Sequence, residues 1–266
     1  MEEPKNDWQE PPLPEMPAPA AEPAQMSEIA TIGNIFFDPG ATFEDLRRKP
    51  RFVIGAVIIA ILATVWTFGL AMRVGDDGMR RWMTDQFDKN PRTASMTGEQ
   101  KQQAISLQLT IMKYTRFAVP VFACIGILLG GLFYWVGGKA FGGQAGFLQS
   151  VSVFIYSSLP PTILFMVANV IVLFLKSTDE IDFGAAQRGL VKANALMFWD
   201  GTGMPVLATL VSVIDLFAIW GWILAAIGLR IMNKISSASA WAITIIIALI
   251  GIALRVVGAF TSGNPS

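Results

Sequence analysis

The sequence predicts an all-α integral membrane bundle of about five transmembrane helices, with short interfacial helices ahead of the first span. Three observations carry this prediction. Of 266 residues, 53% are hydrophobic and 15% charged, where a soluble domain carries about 25% charged residues. Several apolar runs are long enough to cross a hydrocarbon core of about 30 Å at a helical rise of about 1.5 Å per residue. One of them, residues 205–232, is interrupted near its middle by a single acid, Asp215. A carboxylate near the bilayer centre costs roughly 3 kcal/mol and has to face protein or water, so the neighbouring spans must hide it.

Residues 1–26 are rich in proline and mixed charge with few branched apolar side chains, so they cannot offset the entropy of ordering and are expected to be a disordered tail. Trp8 within it is read as part of that solvated tail rather than as a partner motif. Residues 27–51 read as an interfacial amphipathic segment. Ser27 can cap a short helix carrying Ile29, Ile32 and Phe36 at helical spacing, and Asp38-Pro39-Gly40 then forms a turn. Thr42 with Asp45 makes a loose capping box for a second helix, which Pro50 closes. Arg47, Arg48, Lys49 and Arg51 follow at once, a basic cluster suited to anionic lipid headgroups on the cytoplasmic face. The pair of helices either lies on the membrane or packs against the protein's own spans, and both arrangements give the same periodicity. A twin-arginine export signal is a less simple reading, because the apolar run that follows is long and further spans come after it.

The transmembrane domain is expected over residues 52–262, with spans at about 52–72, 117–136, 147–175, 205–230 and 240–260. Between the first two, Met79 to Phe87 can form an amphipathic helix, and Thr97 caps a run that can continue into the second span. That span holds Gly126 and Gly130 at GxxxG spacing, which admits close helix packing. The third is too long for one untilted crossing and is expected to break at Pro160 and Pro161. The freed carbonyls there would need Tyr156, Ser157, Ser158 or water, and Asn169 adds a polar group further along. This break is the expected partner of Asp215. On the fourth span Ser212 lies on the face of Asp215 and can bond it, while Gly221, Ala225 and Gly228 extend a small-residue seam. Five crossings, with the basic cluster inside, place the N-terminus in the cytoplasm and the C-terminus outside.

The order of these parts resembles the Yip (Ypt-interacting protein) domain family in its bacterial branch. The resemblance rests on IGNIFFDPGATFEDLRRKPRF before the first span, FGGQAGFLQSVSVFIYSSLPP entering the third, and VIDLFAIWGWILAAIGLRIMNKISSASAWAI joining the last two. Its most specific part is the pattern of Asp215, Phe217, Trp220, Trp222, Gly228 and Leu229, and it covers residues 28–260. The resemblance implies a five-span helical protein of the bacterial inner membrane. Eukaryotic members are implicated in Rab-dependent traffic and carry a DLYGP signature that is absent here, so the resemblance does not imply GTPase binding.

The inventory narrows the chemistry. Acids and bases balance at 20 each, giving no basic excess for nucleic acid, and there is no histidine. Cys124, the single cysteine, sits inside an apolar run. Zinc sites, disulfides and a Ser-His protease site lack their residues, and an aspartyl dyad needs a second membrane acid beside Asp215. No catalytic residue, metal ligand or cofactor is implied. The expected function is a multi-pass protein that organises membrane or partner proteins, with the lipid bilayer, other membrane proteins or its own copies as partners. The alternative is a small permease or channel component with a proton or solute path near Asp215.

Overall fold

The computed structural model describes residues 24–89, 93, 95–199 and 203–262. The expected disordered tail apart from residues 24–26, its Trp8, and Asp200 lie outside the described residues. Among these described residues ten α-helices follow one another: α1 (Glu28–Asn34), α2 (Pro39–Arg48), α3 (Val53–Lys89), α4 (Gly98–Thr115), α5 (Val119–Ala140), α6 (Phe147–Leu175), α7 (Phe183–Ala186), α8 (Pro205–Val213), α9 (Leu216–Asn233) and α10 (Ser237–Ser262). Among the described residues, five helical stretches are long and apolar enough to span a membrane: α3, the continuous run of α4 and α5, α6, α9 and α10. The protein is an all-α membrane bundle.

Local chemistry sets the ends of these helices. The Ser27 hydroxyl accepts the Ala30 amide at 3.1 Å and starts α1. α2 begins earlier than the sequence suggested. Asp38 accepts the Ala41 amide and Pro39 occupies the first turn, so the expected Asp-Pro-Gly turn is the helix start and the Thr42–Asp45 capping box does not form. Thr97 and Gln100 cap α4 reciprocally. A short 3-10 turn at Arg116–Ala118 then carries α4 into α5 without a loop. α3 runs well past the expected end of the first span. It bends at Gly75, whose φ of 69° is open to glycine and strained for other residues.

Two expectations about helix continuity are reversed. α6 runs unbroken through Pro160 and Pro161, so the anticipated break is absent. Both prolines are buried, the Ser158 hydroxyl back-bonds to the carbonyls of Phe154 and Ile155, and Ser157 back-bonds to Phe154. The Ser157 carbonyl, to which Pro161 has no N–H to donate, faces the backbone of Gly221 on α9. A helix tolerates internal proline at such depth when neighbouring helices and hydroxyls surround the freed groups. The break falls instead in the fourth segment, where Ile214 and Asp215 leave helical geometry and separate α8 from α9.

The bundle has two cores. At the end where α2 enters, Ile35, Phe43 and Leu46 join Val153, Ile155, Tyr156, Leu159, Ala225 and Leu229 in one buried cluster. At the far end Trp66, Leu70, Val74, Met79, Leu173, Ile181 and Phe183 form another, built where α3 and α6 overshoot the apolar zone and the segment after α6 folds back over them. Arg73 ties that overshoot together by donating to the carbonyls of Leu173 and Lys176.

Candidate functional site

α2 is apolar along one edge and meets the bundle with that edge. Phe43 and Leu46 are wholly buried, and α2 packs chiefly on α9 and also on α6. The contact is close because α9 presents Gly228. A Cβ added there would lie 2.8 Å from the Phe43 ring and 2.9 Å from Val153. Since α2 approaches from the aqueous side, burying Phe43, Leu46 and Ile35 brings the ordinary hydrophobic gain of about 1.5–3 kcal/mol each. Spans that meet from within lipid lack that driving force. The segment therefore packs against the protein's own spans.

A buried polar latch fixes this hook. The Asp45 carboxylate accepts an Arg51 N–H at 2.8 Å and the backbone amides of Gln25 at 2.5 Å and Met26 at 3.3 Å. Arg51 also donates to the Thr31 hydroxyl at 2.5 Å. Both charged side chains are almost fully enclosed, at 6% and 4% exposure for Arg51 and Asp45. Burial pushes the Asp45 pKa upward, but the Gln25 amide, Arg51 and the Met26 amide together outweigh it and hold the acid below its ordinary value. One carboxylate thus joins the chain before α1, α2 itself, and the residue that leads into the first span. Sequence reasoning gave Asp45 a capping role in place of this one and passed over Thr31. The available signal was an acid and a base six residues apart, flanking Leu46 and Pro50.

The expected headgroup residues divide accordingly. Arg51 is internal and does not reach lipid, because Asp45 and Thr31 engage it. Arg47 pairs with Glu44 at 2.6 Å, and its carbonyl accepts Gln149 of α6 at 2.9 Å. Arg48 and Lys49 are exposed on the rim. Ile29 and Phe37 of the same segment also stand open, at 78% and 88% exposure.

Asp215 stands at the start of α9 and not within a continuous helix. It caps α9, accepting the Phe217 amide at 2.9 Å and an Asn194 N–H at 3.3 Å. α9 is 18 residues long and ends at Asn233, so the carboxylate stands about 27 Å from the hook end, close to the opposite boundary of the hydrocarbon. Ser212, its expected partner, donates to the Thr209 carbonyl instead, and the half-buried Asp215 bonds to no residue of α6. The reason is the helix break: once Ile214 and Asp215 leave the helix, Ser212 and Asp215 no longer share a face. Asn194, on the loop, was the residue to find.

Asn169 is fully buried near the far end. Its side-chain carbonyl accepts the amides of Leu190 and Val191, the latter at 3.0 Å, and its amide donates to Phe165. It pins the loop to α6, a few residues before the Asn194 that meets Asp215. Nearby, burial lowers the pKa of Arg188, which Asp182 partly restores. Tyr156 is buried in the hook-end cluster. Of the expected packing glycines, Gly130 lies against the Phe154 ring, while Gly126 has open space beside it and packs on nothing. Gly221 faces Ser157 and Pro161, and Ala225 is fully buried. Sequence reading also passed over Asn233, around which Gly138 and Gly143 close.

α2 and nearly all of the five crossings, the α9–α10 hairpin among them, fall within one family match: the Yip1 domain model covers residues 33–258. The chain belongs to the Yip1 domain family. A relative is the "Membrane protein YknW" of Bacillus subtilis (strain 168), 23% identical over 225 residues, which span 83% of this chain and 86% of the relative. No solved structure matches the chain. This Yip1-domain protein is therefore a multi-pass membrane protein, and α2, Asp45 and Arg51 lie inside the matched domain.

Proposed function

We propose that the protein is a non-enzymatic organiser in the cell membrane, holding other membrane proteins through its α1–α2 hook on the cytoplasmic face. The observation that supports this is the contrast between the two sides of the hook. Its inner side is locked by a buried ion pair and by Phe43 against Gly228, while Ile29 and Phe37 stand bare and Arg48 and Lys49 are exposed. A rigid unit with an apolar, basic-edged outer surface suits an element docking on partners at the headgroup layer. Residues 27–51 then act as one interfacial unit, with Arg47, Arg48 and Lys49 towards anionic lipid. The permease alternative gains no support from Asp215, which caps the start of α9 and is engaged by the Phe217 amide and Asn194.

The test is photo-cross-linking in native membranes from a probe amino acid at Phe37, compared with the same probe at Val57 on the lipid-facing side of α3. The reading expects a discrete protein adduct from position 37 that Ile29→Ser weakens. Lipid adducts alone from both positions would overturn it.

A further inference from the structure

α4 carries two apolar faces where a helix packed on one neighbour needs one. Ile105, Leu109 and Met112 turn inward, with Ile105 wholly buried and the other two packed against the far-end core. Leu107, Ile111 and Tyr114 each lie two residues on from these, about 200° round the helix, and are 62%, 51% and 69% exposed. Lys113 and Arg116 mark the headgroup level below them. Leu107 stands ten residues before Phe117 at the start of the apolar run, about 15 Å further out along the helix axis. Lipid contact explains exposed apolar side chains within the bilayer, but not at Leu107 and Ile111.

The spacing says what covers them. Ala104, Leu107, Ile111 and Tyr114 follow a 3-4-3 pattern, the a and d positions of a heptad, which matches a second helix in a left-handed coiled coil. After the short 3-10 turn the same spacing resumes with Val121, Ile125 and Leu128, all exposed. Gln108, Thr110 and Thr115 flank the α4 stripe, so no like charges face each other when two identical stripes meet. The nearby Lys101 is engaged by Asp88 at 2.8 Å. Copies of one membrane protein share an orientation in the bilayer, so their α4 helices meet parallel about a two-fold axis along the membrane normal, where an a/d stripe is self-complementary.

We infer that the outward face of α4 is a homodimer interface, a parallel two-helix seam that stands above the membrane and runs down along α5. The inference is independent of the hook's proposed role. It is tested in native membranes in a Cys124→Ser background, with single cysteines introduced by Ile111→Cys on the seam and Lys113→Cys off it. Mild oxidation should give a disulfide-linked dimer of the chain from position 111 and leave position 113 monomeric. Adding Leu107→Glu should abolish the position 111 dimer while the protein keeps its elution volume and thermal unfolding in detergent. A monomer from both positions, equal cross-linking from both, or a position 111 adduct only to a different protein would each overturn the seam. So would a position 111 dimer that persists with Leu107→Glu.

Discussion

The two ends of the bundle are stabilised by different physics. At the hook end an aqueous helix has been drawn into the spans, and the contact is dense: an aromatic ring on a glycine backbone, sealed by an enclosed Asp45–Arg51 pair. At the far end the spans reach out of the apolar zone and a loop folds over them, held by single polar anchors such as Asn169, Arg73 and Asp215. The hook end depends on shape and on a buried charge that has no substitute. The far end depends on several moderate hydrogen bonds, each of which water can partly replace. The hook end should therefore fail sharply under single substitutions and the far end gradually.

The largest effect is expected at Arg51. Arg51→Met leaves the Asp45 carboxylate enclosed without its cation, a loss of about 3–5 kcal/mol for a broken buried pair. Thermal unfolding in detergent should shift strongly downward, and proteases should reach residues 47–51. Gly228→Val comes next. The added side chain meets Phe43 and Val153 at distances no Cβ tolerates, so overpacking should cost about 1–3 kcal/mol and release α2 without dissolving the far-end core. A fluorophore on α2 would report the release. If the far end unfolded together with the hook, the bundle would be one cooperative unit and the contrast would not hold.

Acid should act on the same end. Asp45 is held below its ordinary carboxylate value in the folded protein, so its contribution to stability is complete above the carboxylate range and is lost as pH falls through and below it. Hook release on acidification should therefore be steeper in the parent than in Asp45→Asn, whose hook is looser at neutral pH. An identical acid profile in both proteins would assign the effect to other carboxylates.

Much of this architecture is legible in the sequence because it follows from apolar length and composition: five crossings, the Ser27 and Thr97 caps, and the continuity of α4 into α5. What escaped depends on contacts between residues far apart in the chain. Pro160 and Pro161 read as a break because a lone helix cannot carry them, yet both are buried among neighbouring helices, with the Ser157 carbonyl facing Gly221 of α9. Ile214-Asp215 carries no proline or glycine to signal its break. Asp45 read as a cap because its real partners, Arg51 and the amides of residues 25 and 26, meet it only after α1 folds back. Arg51 looked like one more base in a headgroup cluster until the acid beside it was found.

The far end gives the gentler tests. Asn169→Leu strands the amides of Leu190 and Val191 and should cost about 1–3 kcal/mol, seen as faster hydrogen exchange over residues 183–194 with the hook unchanged. The smallest effect is expected at Asp215. As a helix cap it can be replaced by asparagine, which accepts the Phe217 amide as well as aspartate does, so Asp215→Asn should change stability by only a few tenths of a kcal/mol, whereas Asp215→Ala should cost about 1 kcal/mol. A proton-path residue would behave otherwise, because asparagine cannot exchange a proton. In proteoliposomes under a proton gradient, a leak present in the parent and abolished by Asp215→Asn would make Asp215 a pathway residue despite its place at the membrane boundary. Equal behaviour of parent and Asn variant, with only the Ala variant destabilised, would identify the acid as the structural end of α9.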